Sequence, residues 1–456
     1  MKNMTLENIA AACGGEIYCM HEELAQETAE GIVIDSRQIE PGYIFVATKG
    51  ERVDGHQFIP DVFAKGAMAV ICEVLPKEDL GPCILVKDSF MALKQAAAFY
   101  RQQLNIRVVG ITGSVGKTST KEFVASVLSE KYKVHKTAGN YNNEVGLPLT
   151  IFGIQEDDQI AVLEMGINTF GEMHRLSEVA KPDICVMTNI GQCHLENLID
   201  RDGILRAKSE IFDFMNPKGT VVVNGDDDKL ATIHEVYGKA PVTFGMNKQN
   251  AIWADHIENR GLLGSCADIH MGDDVVHAII PLPGEHMIYN AMAAAAVALQ
   301  FGMSKEEIAA GISHVEAVAG RSHLVEAGDK VIIDDCYNAN PVSMKAAIDL
   351  LATAPGRKVA ILGDMFELGE NEKAMHGEVG EYAAEKGIDL ILCVGELSEA
   401  MYQEAVGSGG NAKYYETREA LEAVLNEILQ QGDTVLVKAS HSMAFENLVK
   451  CIQVNQ

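Results

Sequence analysis

The sequence lacks the features of several large classes of protein. Basic residues are few, with 37 lysines and arginines against 65 aspartates and glutamates, and the formal net charge is −28. General nucleic-acid binders and proteins of anionic membrane surfaces usually carry a basic surface, so neither class fits. No apolar run approaches the roughly 18 residues of a membrane span, and the N-terminus, with its early Glu7, is unlike a signal peptide. We expect no nucleic-acid partner and no membrane insertion.

Cysteine is present, but never at a metal-binding spacing. The ten cysteines include no CxxC pair, which argues against a zinc knuckle. Several lie inside apolar runs, such as Cys185 in DICVM and Cys393 in LILCVG, and are predicted to be buried free thiols. Free thiols of this kind suit a reducing compartment, so we expect a cytoplasmic protein.

The chain contains enough apolar residues for more than one core. It has 456 residues, of which 47% are hydrophobic and 22% charged, an ordinary globular profile. Short apolar runs that end in polar residues or glycine alternate with helical segments, as in RVVGIT, QIAVLEMG, DICVMTNI and GTVVVNGD. This alternation predicts α/β units whose parallel sheets are covered on both faces. We predict three such domains, at residues 1–105, 106–318 and 319–456.

The stretch GITGSVGKTSTKEF, residues 110–123, predicts a phosphate-binding loop between a strand and a helix. Lys117 would contact the β- and γ-phosphates of a nucleotide, and Thr118 would place its hydroxyl on Mg²⁺. The motif is a variant of GxxxxGK[ST], because Ile111 stands where the pattern has its first glycine. Three glycines, Gly110, Gly113 and Gly116, would let the backbone approach an anion closely. The helix that follows would direct its N-terminal amides at the same anion.

Polar side chains follow the predicted strands downstream of this loop. Glu164 ends the run VLE, His194 follows DICVMTNI, and Lys208 lies on a predicted helix in GILRAKSEIF. Ligands gather at the carboxyl ends of parallel strands, where a carboxylate is a suitable oxygen ligand for Mg²⁺. Taken alone, such a histidine is more often structural and such a lysine is usually solvated or ion-paired. Base-reading motifs of the NKxD type are absent from the expected position, which disfavours a GTPase switch.

Taken together, the motifs resemble those of the Mur ligase family. The resemblance rests on the order and spacing of segments along nearly the whole chain: IDSR, PGYIFVATKG, DGHQF, GITGSVGKTST, GNYNNEVGLPLT, EMG with GEMHRL, TNIGQCHLE, RAKSEIF, GEHMIYNAMAA and DDCYNANP. It implies an ATP-dependent amide-forming enzyme of peptidoglycan assembly. YNANP followed by LGDMFELGE further resembles the member that adds D-alanyl-D-alanine to UDP-N-acetylmuramoyl-tripeptide, whereas other members usually carry a DYAHNP-like segment.

The resemblance implies a role for each domain and for individual residues. The first domain would bind the UDP substrate, the central domain would bind ATP through its P-loop, and the third would be Rossmann-like. The residues implied for ATP are Gly113, Ser114, Gly116, Lys117, Thr118, Ser119, Asn290, Arg321 and Asp335. The ligands implied for Mg²⁺ are Thr118, Glu164, His194 and Lys208. Lys117, Lys208 and His194 would be catalytic, with Lys208 carbamylated so that it offers an oxygen ligand.

The resemblance also implies residues that bind the other substrates. The residues for UDP-N-acetylmuramoyl-tripeptide are Ser36, Arg37, Asn140, Asn142 and Asn143. Weaker candidates are Asp54, Gly55 and His56 for the uridine nucleotide, and Asp364, Lys438, Ser440 and His441 for D-Ala-D-Ala. Asp334, beside Asp335, is expected to cap a turn. Three positions depart from the family pattern: Met287 is more often polar, Cys336 more often serine, and Ser119 usually threonine.

Two other functions remain open from the residues. One is a related Mur ligase or a folylpolyglutamate-synthase-like ligase with a different substrate, and the other is a P-loop ATPase or switch whose flanking domains bind a partner protein. We expect a monomer. The third residue of the tripeptide, diaminopimelate or lysine, is left open, as is the general base that deprotonates the attacking amine.

Overall fold

The computed structural model describes residues 1–19, 27–193 and 195–454, which form a mixed α/β structure. The strands are β1 Glu16–Tyr18, β2 Gly31–Val33, β3 Tyr43–Val46, β4 Ala69–Cys72, β5 Cys83–Leu85, β6 Arg107–Thr112, β7 Val134–Lys136, β8 Ile160–Glu164, β9 Ile184–Met187, β10 Thr220–Asn224, β11 Val242–Gly245, β12 Ile252–Asn259, β13 Ser265–Met271, β14 Asp274–Ile280, β15 His323–Ala327, β16 Lys330–Asp334, β17 Lys358–Gly363, β18 Leu390–Val394, β19 Ala412–Tyr415 and β20 Thr434–Lys438. The helices are α1 Leu6–Cys13, α2 Ile59–Ala64, α3 Ser89–Gln103, α4 Lys117–Ser129, α5 Gly146–Phe152, α6 Glu172–Ala180, α7 Leu195–Leu198, α8 Arg201–Ser209, α9 His286–Leu299, α10 Lys305–Ser313, α11 Pro341–Ala352, α12 Glu372–Glu385, α13 Ser398–Gly407, α14 Arg418–Glu422, α15 Leu425–Ile428 and α16 Glu446–Val454.

The first sheet has the strand order β1-β5-β4-β3-β2. Strands β2 to β5 are parallel, and β1 is antiparallel to β5. Helix α1 ends at Gly14, which has a left-handed φ of 61° and donates its N–H to the carbonyls of Ala10 and Ala11. Glycine takes this conformation without a Cβ clash, so the helix stops there.

The second sheet has the order β14-β13-β12-β11-β10-β9-β6-β8-β7. The pairs β6–β8, β7–β8, β10–β11 and β11–β12 are parallel. Of these, β6–β8 joins two of the predicted apolar runs and is parallel as expected. Strands β12, β13 and β14 form an antiparallel extension that the sequence reading did not predict. Cys185, in β9, is buried as expected.

The third sheet has the order β15-β16-β20-β17-β18-β19 and is parallel except for β15. Neighbouring residues of its strands enter two different apolar clusters: Ile333 and Leu362 belong to one, Ile332 and Ile361 to the other. Both faces of the sheet are therefore buried, which explains why its strands read as continuous apolar runs. Burial also raises the pKa of Cys393, in β18, to about 12.

The described residues form two compact units. The first comprises Met1–Thr112, Lys131–Val186 and Ala207–Val221, and the second comprises Gly113–Glu130, Met187–Arg206 and Val222–Gln456. The division into domains at residues 105 and 318 stays a prediction. Among the described residues, no helix combines the length and the apolar character that crossing a membrane would demand.

Candidate active site

The predicted phosphate-binding loop lies between the end of β6 and the start of α4. Gly113 has a φ of 153°, and a Cβ there would lie 1.9 Å from Oγ1 of Thr188, so only glycine fits. Gly116, with a φ of 82°, is the N-cap of α4, and Lys117 is its first residue. Lys117 Nζ donates to the carbonyl of Gly113 at 2.9 Å, which brings the ammonium back over the loop. A backbone turn closed by a lysine at a helix N-terminus is an anion-binding arrangement.

Two residues that the sequence reading did not assign hold this loop in shape. Thr188 Oγ1 donates to the carbonyl of Val115 at 2.7 Å. Asn189 makes a paired contact with Val115, accepting from its N–H and donating to its carbonyl, both at 2.9 Å. The Ser114 N–H donates to the carbonyl of Asn189 at 3.0 Å. Thr188 and Asn189 directly follow β9, and their position at a strand end was the signal that could have identified them.

Helix α9 meets α4 through Asn290. Asn290 is buried, accepts a hydrogen bond from Thr120 Oγ1 at 2.8 Å and donates to Sδ of Met287 at 3.4 Å. A Cβ on Gly116 would lie 3.7 Å from Oδ1 of Asn290, so this amide borders the loop. The structure therefore brings Asn290 to the phosphate-binding loop, and Met287 occupies the position beside it. The role of Asn290 in binding adenine stays a prediction.

Arg321 and Asp335, predicted to reach toward the nucleotide, differ in their surroundings. Arg321 Nη2 donates to Oγ1 of Thr118 at 3.4 Å, so this guanidinium lies at the loop. Asp335 accepts from the N–H of Ser322 at 3.0 Å and from Lys438 Nζ at 2.6 Å. Lys438 and Asp335 thus form a largely buried ion pair, which links the residue predicted for ATP to a candidate for D-Ala-D-Ala.

Asp334 caps a turn, as expected. Its Oδ2 accepts from the N–H of Gly320 at 2.9 Å, and its Oδ1 accepts from Sγ of Cys336 at 2.9 Å. Burial and the neighbouring carboxylate raise the pKa of Cys336, so its thiol remains protonated at neutral pH. The cysteine therefore acts as a hydrogen-bond donor to Asp334.

Glu164 is buried at the carboxyl end of β8, paired in register with Ile111 of β6. Asn142 Nδ2 donates to its Oε1 at 2.7 Å, and Thr137 Oγ1 accepts its N–H at 3.0 Å. Ile111 is the second-last residue of β6, so Glu164 pairs with the end of the strand that leads into the phosphate-binding loop. A buried carboxylate at the carboxyl end of a parallel strand fits the chemistry of a Mg²⁺ ligand.

Of the other predicted metal ligands, Thr118 is the second residue of α4 and is mostly buried. Lys208, near the end of α8, is only 1% exposed, so it is not a solvated surface lysine. His194 lies outside the described residues. The metal-binding and catalytic roles of these residues stay predictions.

The three asparagines of the GNYNN segment have different surroundings. Asn140 is exposed, whereas Asn142 binds Glu164 as described above. Asn143 Oδ1 accepts from the N–H groups of Val145 and Gly146 at 3.2 and 2.8 Å, so it stabilises the start of α5. Asn143 therefore has a clear structural role, although it is exposed like Asn140.

The residues predicted to bind the uridine nucleotide are in a loop after β2 and in a short turn. Arg37 is exposed and forms a fork with Asp35, at 2.6 Å from Nη2 to Oδ2, which lowers the pKa of Asp35 to about 2. The carbonyl of Ser36 accepts from Lys65 Nζ at 2.7 Å. The Arg37 guanidinium has donors left over, because a carboxylate engages only two of its nitrogens.

Asp54, Gly55 and His56 make contacts that build the turn itself. His56 Nε2 accepts from the N–H of Glu73 at 2.9 Å, so its Nδ1 carries the proton that it shares with Asp54 at 2.6 Å. The N–H of Gly55 donates to the carbonyl of Thr48 at 2.8 Å. These contacts give each of the three residues a structural role that requires no bound ligand.

The remaining candidates for D-Ala-D-Ala follow β17 and β20. Asp364 Oδ1 accepts from both the N–H and Oγ of Ser398, at 2.8 and 2.7 Å. Ser440 Oγ accepts from the N–H of Phe366 at 3.0 Å. The ring of His441 stacks on that of Tyr337, 5.3 Å away. The structure gathers these residues around adjacent strand ends, and their binding role stays a prediction.

Two further carboxylates connect motifs that lie far apart in the sequence. Glu210, in RAKSEIF, accepts from the N–H groups of Gly171 and His174 at 3.0 and 3.2 Å, which caps α6 in GEMHRL. Glu144, which follows GNYNN, pairs with Lys94 at 3.0 Å and with Arg175 Nε at 2.5 Å. Sequence reasoning missed both residues, because each depends on a partner from another segment.

Comparison with known proteins identifies the family. Three family models match this chain in succession: "Mur ligase family, catalytic domain" at residues 28–111, "Mur ligase middle domain" at 111–298, and "Mur ligase, glutamate ligase domain" at 320–441. The UDP-N-acetylmuramoyl-tripeptide--D-alanyl-D-alanine ligase of Bacillus subtilis (strain 168) is 36% identical over 99% of this chain and 98% of its own length. The chain belongs to the Mur ligase family.

Solved structures of the Mur ligase family agree with this assignment. The structure of MurF from Acinetobacter baumannii matches with a TM-score of 0.90 and 32% identity, covering 99% of both chains. The structure of the MurF ligase from Thermotoga maritima in complex with ADP matches with a TM-score of 0.80 and 30% identity, covering 93% of this chain and 97% of that one. The three-domain α/β fold implied by the sequence resemblance is thereby confirmed.

Proposed function

We propose that this Mur ligase joins D-alanyl-D-alanine to UDP-N-acetylmuramoyl-tripeptide at the expense of ATP. The observation that carries the proposal is full-length similarity to a ligase named for that reaction, combined with a built phosphate-binding loop. The YNANP segment, which resembles that of the same member of the family, leads directly into the capped start of α11. The ADP complex of the related ligase supports a nucleotide substrate.

The reaction requires activation of a carboxylate, since an oxide is too poor a leaving group for attack by an amine. In the proposed sequence the terminal carboxylate of the tripeptide attacks the γ-phosphorus of ATP, and the bond to ADP breaks. The amine of D-Ala-D-Ala then attacks the resulting acyl phosphate, loses a proton, and expels inorganic phosphate as the amide forms. Two anions must first meet at about 3 Å, a repulsion of about 5 kcal/mol at an effective dielectric constant of about 20.

Groups of the phosphate-binding loop offset that repulsion. Lys117 supplies a positive charge at the loop, and the first amides of α4 supply oriented dipoles. Arg321, which reaches Thr118, supplies a second positive charge. Because Thr188 and Asn189 already hold the loop, these groups need little rearrangement when phosphates bind.

We propose Mg²⁺ as the cofactor, with Thr118 and Glu164 as ligands together with His194 and a carbamylated Lys208. Bound Mg²⁺ would neutralise the part of the phosphates' negative charge that the loop leaves uncompensated. Asn142 holds the Glu164 carboxylate in one orientation through the 2.7 Å hydrogen bond to Oε1. The protein is proposed to act in the cytoplasm as a monomer.

A direct assay separates this proposal from its alternatives. Purified protein is incubated with ATP, Mg²⁺, D-Ala-D-Ala and UDP-N-acetylmuramoyl-tripeptide carrying either diaminopimelate or lysine. We expect one pentapeptide product per phosphate released, with one tripeptide preferred. Phosphate release without amide formation would instead indicate an ATPase or switch, and activity only with other acceptors, such as folates, would indicate a different ligase.

Lys117→Ala should abolish turnover, because it removes the charge at the loop while leaving the hydrogen bonds of Thr188 and Asn189 in place. A loss of about a thousandfold or more in kcat is expected. Lys133→Ala, which removes an exposed lysine paired with Asp157, is the matched control and should retain activity. Circular dichroism checks that both variants fold. Unimpaired phosphate release by Lys117→Ala would refute the assignment of the loop.

A further inference from the structure

The antiparallel extension β12–β14 carries aspartates and histidines on its outward face. In its register Asp255 lies opposite Asp268, and Asp268 lies opposite His277. One row along, Trp253 lies opposite His270. Like charges that face each other across antiparallel strands are destabilising. The two aspartates therefore require positive charge close to both of them.

His256 lies next to both carboxylates because the strand is irregular at this point. The register of β12 shifts after Asp255, and His256 has a left-handed φ of 47°, which is uncommon for a residue with a side chain. Its Nδ1 lies 2.9 Å from Oδ2 of Asp268 and 3.5 Å from Oδ1 of Asp255. A regular strand would point residues 255 and 256 to opposite faces.

Two more imidazoles hold the carboxylates from outside. His270 Nε2 lies 2.7 Å from Oδ1 of Asp255, and His277 Nδ1 lies 2.8 Å from Oδ1 of Asp268. Each aspartate thus has one histidine of its own in addition to the shared His256, and Asp255 also pairs with Lys248, whose Nζ lies 3.2 Å from its Oδ2. Outer hydrogen bonds of this type orient the ligands of metal ions in proteins.

We propose that Asp255, His256 and Asp268 bind a divalent transition-metal ion of the Zn²⁺ or Cu²⁺ class. One ligand atom from each of the three lies within 4.8 Å of the others. In a tetrahedral site with bonds of about 2.0–2.1 Å, neighbouring ligand atoms are about 3.3 Å apart, so small side-chain movements suffice. Imidazole together with carboxylate favours zinc, copper or nickel over magnesium.

The proposed ion would offset the repulsion between the two aspartates more strongly than a proton on His256 does. Asp268 raises the pKa of His256, so a proton on this imidazole is one source of the positive charge. A divalent ion supplies two charges and displaces that proton. It would also tie β12 to β13, next to the edge strand β14. Because only the folded register assembles the three ligands, binding should stabilise the protein against unfolding.

The single tryptophan of the chain makes the site directly observable. The ring of Trp253 stacks on His270, with centroids 3.6 Å apart and planes within 3°. Bound Cu²⁺ quenches the fluorescence of a nearby tryptophan, and His270 connects Trp253 to Asp255 of the proposed site. Titration of the full-length protein with CuSO₄ should therefore quench Trp253 saturably at one ion per chain. ZnCl₂ should compete with Cu²⁺, and calorimetry with ZnCl₂ should give the same stoichiometry.

Variants test whether the three proposed ligands are responsible for the metal binding. His256→Ala and Asp268→Asn should each weaken the apparent affinity at least about tenfold. His314→Ala is the matched control, because His314 is also exposed and lies 2.7 Å from a carboxylate oxygen of Glu130. It should leave the titration unchanged. The proposal is overturned if the wild-type protein shows neither saturable quenching nor a heat of Zn²⁺ binding, or if both variants titrate like the wild type.

Discussion

Arg321 is held at the phosphate-binding loop by aromatic stacking. Its guanidinium carbon lies 3.9 Å above the ring centroid of Tyr337, and the other stacking partner of that ring is His441. A cation over an aromatic ring gains about 0.5–2 kcal/mol, more when it is shielded from water. Tyr337 is the first residue of YNANP, so this segment positions Arg321 near Thr118. The contact gives the tyrosine a physical role that a motif alone does not reveal.

At the same scale, Lys208→Ala should be inactive and partly rescued by added short carboxylic acids. The side chain is 1% exposed, so its removal leaves an internal space. Acetate or formate in that space would replace the oxygen ligand that a carbamate supplies. Turnover is measured with and without the added acid. Lys208→Arg, which fills the space but does not form a carbamate, should be inactive without rescue. A fully active alanine variant would contradict the carbamate role.

Helix α11 begins at a capping box within YNANP. The side chain of Asn340 accepts from the N–H of Ser343 at 2.9 Å, and Oγ of Ser343 accepts from the N–H of Asn340 at 3.1 Å. Pro341 occupies the first helical position, where a missing N–H costs nothing. The start of this helix is therefore specified locally, and it fixes the chain just after Tyr337.

Asn340→Ala should lower the free energy of unfolding by about 1 kcal/mol, because an N–H at the helix start loses its acceptor. Asn340→Asp should restore the stability, since a carboxylate accepts the same bond and favours a helix N-terminus. Denaturant unfolding followed by circular dichroism measures the change. Ser304→Ala, at the capping box of α10, is the matched comparison and should cost a similar amount. Equal stability of Asn340→Ala and the wild type would show that the cap is not needed.

For the whole molecule, we predict closure when all substrates bind. An acyl phosphate must be kept from water until the amine attacks it, and closing domains achieve this. We place the hinge near residue 318, in the segment between α10 and β15. The radius of gyration, measured by small-angle scattering, should fall when ATP, tripeptide substrate and D-Ala-D-Ala analogue are all present. Identical dimensions with and without them would count against closure.

Local sequence patterns determined the elements and the phosphate-binding loop. Continuous apolar runs predicted β6, β8, β9 and β10 because strands buried on both faces need an apolar side chain at every position. The glycine turn before Lys117 was recognisable because its strand, loop and helix are contiguous. The alternating pattern of β12 to β14 was overlooked, although outward polar and inward apolar residues are typical of a sheet with one exposed face.

Only the tertiary structure decided which side chains meet. The clamp of Thr188 and Asn189 on the loop, the pair of Lys438 with Asp335, and the approach of Asn142 to Glu164 join segments separated in the sequence. The register of β12 and β13 likewise sets Asp255 opposite Asp268. A sequence carries the propensities of each segment by itself. Contacts between distant segments depend on how strands pair and helices pack, and these are properties of the folded chain.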